Sequence, residues 1–145
     1  MRAVIQRVKR TALRVNGSLI SQIDGGLAVY LGVSPDDTEK NAAAMAKKIV
    51  NLRIFEDGQG KMNLSVQDVG GEILLISQFT LYGDCSHGNR PSFIGAARPE
   101  QAEPLYRYTA ECLRGYNVSV KTGVFGADMK IEQYNDGPVT IIYEC

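Results

Sequence analysis

From Leu27 to Val33 the chain reads Leu-Ala-Val-Tyr-Leu-Gly-Val, and this nearly continuous apolar run constrains the fold more than any other segment. A strand with one solvated face alternates apolar and polar residues, so a run without alternation suits a strand buried on both faces. The run ends at Ser34-Pro35-Asp36-Asp37-Thr38, turn and N-cap residues that predict a helix directly behind it.

That helix is legible to about Asn51. Ala42, Met45, Ala46, Ile49 and Val50 recur at helical spacing, while Lys40, Lys47 and Lys48 fall mostly on the opposite side, giving an amphipathic helix whose basic tail suits its dipole. A second apolar stripe, Ala102, Leu105, Tyr106, Thr109, Cys112 and Leu113, closes at Gly115. Pro99 suits a first helical position, but Pro104 would remove an internal hydrogen bond, so this helix is expected to begin near Pro104.

The remaining signals are β-like. Residues 2 to 8 alternate with period two, a second strand covers about 12 to 16, and Asn16-Gly17 predicts a two-residue hairpin turn into Leu19–Ile23. Gly25-Gly26 breaks the chain before the central run. Arg53–Glu56 reads as a short strand ending in Asp57-Gly58, followed by a polar loop to about Gly71. Ile73–Ile76 is a strand that enters Ser77-Gln78-Phe79-Thr80, and Gly83 to Arg98 is loop-like. Three runs complete the chain: Val118–Lys121, Met129–Tyr134 and Val139–Tyr143, with Asn135-Asp136-Gly137-Pro138 as a turn between the last two. Consecutive strands and separated helices predict an α+β class, a single β-rich domain over residues 1–145 with two main amphipathic helices.

Composition narrows the function classes. The chain has 145 residues, 44% hydrophobic and 22% charged, which suits one ordinary globular domain. No segment approaches the roughly 20 apolar residues of a membrane span, and the start lacks a signal-peptide core, so a cytoplasmic location is expected. Cys85, Cys112 and Cys145 are odd in number and form no C-x-x-C, so reduced thiols are expected. Sixteen basic residues balance sixteen acidic ones, which argues against a long phosphate-tracking interface but leaves room for a grip on the last one or two nucleotides of an RNA.

Residues with chemistry are few. The lone His87 has only Cys85 and Asp84 nearby, too thin a ligand set, so no metal is expected. Ser77, His87 and Asp84 could spell a triad, but no G-x-S-x-G elbow accompanies them. Ser77 or Thr80 could be a nucleophile only with an activating base, and none stands near in sequence. Gly123-Val124-Phe125-Gly126 lacks the lysine of a phosphate loop. Gly137-Pro138 is either an ordinary turn or a site of unusual backbone geometry.

Two segments carry a resemblance. Ser77-Gln78-Phe79-Thr80-Leu81 and Asn135-Asp136-Gly137-Pro138-Val139-Thr140 resemble the two signature motifs of the D-aminoacyl-tRNA deacylase family. The similarity continues through residues 1–8, Asn51-Leu52-Arg53-Ile54-Phe55, Gly60-Lys61-Met62-Asn63-Leu64, Asn89-Arg90-Pro91-Ser92-Phe93 and Gly126-Ala127-Asp128-Met129, covering the whole chain in order. Gly83, Cys85-Ser86-His87 and Pro104 depart from the commoner pattern.

The resemblance implies a mixed sheet curled into a pseudo-barrel, and hydrolysis of the ester between a D-amino acid and its tRNA, with no metal or other cofactor. It implies a homodimer whose site at the subunit interface receives the aminoacylated 3′ end of tRNA. Ser77, Gln78, Phe79 and Thr80 would be the catalytic segment, with backbone N–H groups near Phe79 and Thr80 stabilising the oxyanion and the RNA 2′-hydroxyl assisting. Gly137 and Pro138, joined by a cis bond and inserted into the partner subunit's pocket, would reject L-residues by collision. Phe125 and Met129 would pack near the adenine and Arg7 would brace the glycine-proline loop. Glycine has no side chain to collide, so glycyl-tRNA, including glycine misplaced on tRNA(Ala), would also be cleaved. Two alternatives are a sister deacylase family that clears L-alanine through a roomier pocket, and a binding module without turnover.

Overall fold

The central apolar run forms a strand in a computed structural model that describes every residue from Met1 to Cys145. In chain order the elements are β1 (Arg2–Val15), β2 (Ser18–Ile23), β3 (Gly26–Gly32), α1 (Glu39–Asn51), β4 (Phe55–Glu56), β5 (Met62–Leu64) and β6 (Glu72–Ser77). A 3-10 turn (Phe79–Tyr82), α2 (Pro99–Arg114), β7 (Ser119–Thr122) and β8 (Lys130–Glu144) follow.

β3 lies between β1, which is antiparallel to it, and β6, which is parallel to it, and β7 continues the parallel set beyond β6. Its faces are both covered, as expected. Leu27, Val29 and Leu31 belong to the larger core shared with α1 and α2, whereas Ala28 belongs to a second core with Val8, Leu13, Ile23, Leu74 and Ile76. The sheet order is β2-β1-β3-β6-β7, with β8 also paired to β1. Its far ends approach each other: Ser21 Oγ donates to Thr122 O at 2.7 Å, and Lys121 Nζ donates to Gln22 O at 2.6 Å. The mixed sheet is therefore nearly barrel-shaped, and the two helices cover one face.

Local chemistry explains most boundaries. Asn16 and Gly17 adopt φ of 49° and 81°, the positive values a two-residue hairpin of this kind requires. Thr38 caps α1 in a reciprocal box with Asn41. The face of α1 carrying Ala42, Met45, Ala46, Ile49 and Val50 is buried.

Several expectations are corrected. Residues 2–8 and 12–16 are not two strands but one fourteen-residue strand, β1. The exposed Lys9-Arg10 pair interrupts the apolar alternation without interrupting the ladder, because the register with β8 shifts there instead. Likewise Met129–Tyr134 and Val139–Tyr143 belong to the single strand β8. Gln6 pairs with Thr140 and Val8 with Asn135, so Asp136, Gly137, Pro138 and Val139 form a bulge opposite Arg7 alone. Asn-Asp-Gly-Pro suits a bulge as well as a turn, since both accept positive φ and a missing N–H.

The second helix begins at Pro99 rather than near Pro104. Pro104 lies on the exposed side of α2, where the carbonyl that it fails to serve can be hydrated. The expected polar loop between Asp57 and Gly71 contains β5, which pairs with β4. Its turn is fastened by the Asp57 carboxylate, which accepts the Gln59 and Lys61 amides at 2.8 and 3.1 Å.

Candidate active site

The parallel strands β3, β6 and β7 all end on one side of the sheet, and the chain leaving each of them lines a cavity of about 580 Å3. Leu31 and Val33 come from β3 and its exit, Ser77, Gln78 and Phe79 from the exit of β6, and Phe125 to Met129 from the segment after β7. The start of α2 supplies Arg98, Pro99, Ala102 and Tyr106. A crevice outside the carboxyl ends of parallel strands is where a ligand has room without disturbing the ladder. Thirteen of the nineteen lining residues are hydrophobic, so the cavity suits a flat or apolar group held by a few polar contacts.

The segment after β6 changes conformation abruptly. The Gln78 amide donates to Leu31 O at 2.8 Å, and Phe79–Tyr82 then turns into a 3-10 helix. The leading amides of such a turn have no intrahelical acceptor, so those of Phe79 and Thr80 are available as donors. The Phe79 ring lines the cavity and meets Phe93 edge-on, with centroids 5.2 Å apart and planes at 71°. Gly83 permits this packing, since a Cβ there would stand 3.0 Å from the Phe93 ring.

Thr80 does not line the cavity. Its exposed hydroxyl accepts a hydrogen bond from Gln78 Nε2, and no carboxylate or imidazole is bonded to it. Ser77 does line the cavity, but His87 lies on an exposed loop and is bonded to neither Ser77 nor Asp84, so no triad is assembled. Asp84 instead caps the Ser86 amide at 2.8 Å, which holds its carboxyl below the usual range. No group of three or more His, Cys, Asp or Glu side chains is arranged to hold a metal ion, and the three cysteines are free.

Phe125 and Met129 line the same cavity. Phe125 tilts against Tyr106, with centroids 5.8 Å apart, and Met129 passes over Gly123, where a Cβ would come within 2.6 Å of its sulfur. Burial pushes the Tyr106 phenol up to about 12, and its hydroxyl donates to Leu75 O at 2.8 Å. That wall stays neutral across the ordinary pH range.

Gly137, Pro138 and Arg7 lie elsewhere, and none of them lines this cavity. The Gly137–Pro138 peptide is cis, and both residues are exposed on the β8 bulge. Gly137 has φ +119°, and a Cβ there would meet Val139 at 2.9 Å and the Arg7 guanidinium at 3.2 Å. Arg7 is only 5% exposed. Its Nη1 donates to Ile54 O at 2.7 Å, and its Nε donates to Asp136 O at 3.3 Å and stands 3.2 Å from the Asp136 carboxylate. The guanidinium therefore fixes the residue immediately before Gly137.

Of the residues that the resemblance singled out, Ser77, Gln78, Phe79, Phe125 and Met129 line this cavity while Thr80, Arg7, Gly137 and Pro138 do not, and Phe93, Arg98, Tyr106 and Ile131 line it without having been singled out. Tyr106 read as helix core, which it also is. For Arg98 and Ile131 the available signal was positional, since they lie at the start of α2 and of β8; Phe93 in a loop and Tyr106 in mid-helix carried none.

The profile of the D-Tyr-tRNA(Tyr) deacylase family matches residues 4–144. A D-aminoacyl-tRNA deacylase of Geobacillus sp. (strain WCH70) is 56% identical over 144 residues, covering 99% of this chain and 95% of that protein. A solved structure described as c-Myc DNA Unwinding Element Binding Protein superposes with a TM-score of 0.93 at 47% identity, covering 100% of this chain and 99% of the other. A probable eukaryotic D-amino acid tRNA deacylase shares the fold, with a TM-score of 0.82 at 17% identity over 98% of this chain and 97% of the other.

The nearly barrel-shaped mixed sheet with two helices on one face, and an apolar crevice at the ends of its parallel strands, place the chain in the D-tyrosyl-tRNA deacylase fold class. Within it, the chain belongs to the D-aminoacyl-tRNA deacylase family, whose reaction is hydrolysis of the ester joining the amino acid to tRNA. The substrate is an aminoacyl-tRNA. No helix is long and apolar enough to cross a membrane.

Proposed function

We propose that the working enzyme is a cytoplasmic homodimer in which the Gly137–Pro138 bulge of one subunit closes the Ser77–Phe79 cavity of the other and rejects L-residues. The observation that carries this reading is the separation of the two motifs: within one chain the bulge is exposed and contributes nothing to the cavity. The edge it sits on supports the same reading. β8 pairs only with β1, so its fifteen residues leave one long edge open, with Tyr134 70% and Ile142 68% exposed. Long edges of that kind are normally covered.

In this reading the terminal adenosine enters beside Phe125 and Met129, and the bulge carbonyls accept from the substrate's α-amino group. With amino group and ester carbonyl both fixed, the side chain of an L-residue is directed into backbone, whereas hydrogen or a D-side chain is not. Glycyl-tRNA, including glycine on tRNA(Ala), therefore passes the filter.

The chemistry is assigned to backbone donors. Water adds to the ester carbonyl carbon, and the amides of Phe79 and Thr80 stabilise the resulting oxyanion, each contributing a few kcal/mol. The RNA's neighbouring 2′-hydroxyl helps activate the attacking water, whose proton passes by way of that hydroxyl to the ribose 3′-oxygen expelled on collapse, leaving free D-amino acid and tRNA. Gln78 as the hydrogen-bond neighbour of the Thr80 hydroxyl supports this assignment over a threonine nucleophile, because an amide cannot remove the proton.

The test is hydrolysis of D-tyrosyl-, L-tyrosyl- and glycyl-tRNA by the purified protein, with and without a chelator. Cleavage of the D and glycyl esters alone, unaffected by chelation, supports the reading. Cleavage of the L ester points to the sister family, and cleavage of the D ester without the glycyl ester overturns the steric account.

A further inference from the structure

Gln6 and Arg7 are neighbours on β1 and so project to opposite faces of the sheet. Arg7 holds Asp136 from the face that carries the helices. On the other face a chain of amide hydrogen bonds grips both ends of the same bulge. Gln6 Nε2 donates to Thr140 Oγ1 at 3.2 Å, directly after the bulge. Gln133 Nε2 donates to Gln6 Oε1 at 2.7 Å and to Asn135 Oδ1, directly before it. The Tyr30 hydroxyl completes the set by donating to Gln133 Oε1 at 3.0 Å.

We propose that Gln6 and Gln133, anchored by Tyr30, are positioning residues that fix the Gly137–Pro138 bulge for stereochemical discrimination. The inference rests on the reading of that bulge as the filter. Gln133 uses its carbonyl oxygen and both of its amide hydrogens here, so its orientation is fully specified by its partners. Neither end of the network is free to drift. Tyr30 pairs across the sheet with Ile76, and Ile131 stands two residues before Gln133 on the same face. Both isoleucines line the cavity, so the network rests on the cavity floor at one end and on the bulge at the other.

A filter that works by collision depends on where its backbone lies to a fraction of an ångström. Two grips on opposite faces, Arg7 on one and the glutamines on the other, leave the bulge no direction in which to yield. Gln6, Gln133 and Tyr30 themselves do not line the cavity. Its removal acts on selectivity before it acts on chemistry.

The experiment compares kcat/KM for D-tyrosyl- and L-tyrosyl-tRNA in the Gln6→Leu/Gln133→Leu double variant, with a thermal melt as the folding control. Pro138→Ala serves as the control for the filter itself. The expected result is a rise of about tenfold in the L-to-D ratio in the double variant, with Pro138→Ala moving it in the same direction. A double variant that melts cooperatively with an unaltered ratio, beside a relaxed Pro138→Ala, overturns the positioning role and leaves the filter standing. An unaltered ratio in Pro138→Ala as well overturns the filter and this inference with it. If the double variant does not fold, Tyr30→Phe, which removes one hydroxyl, decides: a rise of about threefold supports the network, and no change overturns it.

Discussion

Arg7→Met removes the one guanidinium that ties β1 to the bulge and to the segment before β4, while keeping most of the apolar stem. The loss can be worked from its partners. The bonds to Ile54 O and Asp136 O are charge-assisted and lie where Arg7 is 5% exposed, and each contributes about 1.5–3 kcal/mol. The contact with Glu56 is 3.7 Å long to a carboxylate 60% exposed, and adds about 0–1 kcal/mol. Asp136 is not stranded by the change, because its carboxylate is a third exposed and Lys9 stays 3.7 Å away. Ile54 O is the group left worst off, since Ile54 itself is 6% exposed. The expected destabilisation is about 3–5 kcal/mol, a fall in Tm of about 10–15 °C for a domain of this size. Urea unfolding and calorimetry measure it, and Arg7→Lys, a point charge without the planar fork, is expected to recover less than half. A loss below about 1 kcal/mol would refute the reasoning, because it would mean that both carbonyls find replacements at no cost.

Gly137→Ala must place a Cβ 2.9 Å from Val139 and 3.2 Å from Arg7 at φ +119°; the expected cost is about 1–3 kcal/mol of stability, with a larger loss of D-over-L selectivity, and unchanged selectivity would show that the bulge backbone is not the filter. Tyr106→Phe is expected to cost only about 1 kcal/mol near neutral pH, because Leu75 O keeps the Gly123 amide at 3.0 Å. The same variant has a signature at high pH. The folded Tyr106 phenol is raised from 10.0 to about 12, so the stability it contributes is fully present below pH 10 and is lost as pH rises through about 12. Denaturant titrations from pH 9 to 12 should show a shallower fall in the variant than in the parent. Thr80→Ala removes a hydroxyl that accepts from Gln78 but leaves the backbone donors in place; single-turnover cleavage is expected to fall by about tenfold or less, and an acyl-threonine intermediate in the parent would refute the backbone assignment.

What the sequence made legible was decided locally. The apolar run of β3, the caps and stripe of α1, and the Asn16-Gly17 hairpin each state their conformation within a few residues, and the fold agrees. The continuity of β1 and β8 was hidden because Lys9-Arg10 and Asn135–Pro138 look like interruptions until the partner strand is known. A strand as short as β5, three residues, carries no readable period, whereas β4 was legible as the end of the run Arg53–Glu56. Pro104 misplaced the start of α2 because the cost of an internal proline depends on whether its side of the helix meets water, a tertiary fact. The site divides in the same way. Ser77–Phe79, Phe125 and Met129 were found through resemblance to a family, not through any local chemical signal. Phe93 and Tyr106 join them only because three strand ends and a helix start converge on one cavity.

The cavity and the bulge proposed as its filter impose opposite demands on the sheet, and the order of strands meets both. A cavity needs parallel strands that end together, which β3, β6 and β7 supply. A protruding bulge needs an antiparallel edge strand with a long partner to hold it, which β8 and β1 supply. β1 joins the two by pairing with β3 on one side and β8 on the other. Side chains alternate along β8, so a slip of one residue in its pairing with β1 would turn Gln133 and Asn135 to the opposite face, while the pairing of β1 with β3 keeps Gln6 and Arg7 where they are. Gln6 and Tyr30 would then lose Gln133 as a partner, and Arg7 would lose Asp136. The eleven paired positions that run from Arg2–Glu144 to Arg14–Lys130 resist that slip. The register that makes the strand pair stable thus also sets where Gly137 and Pro138 stand.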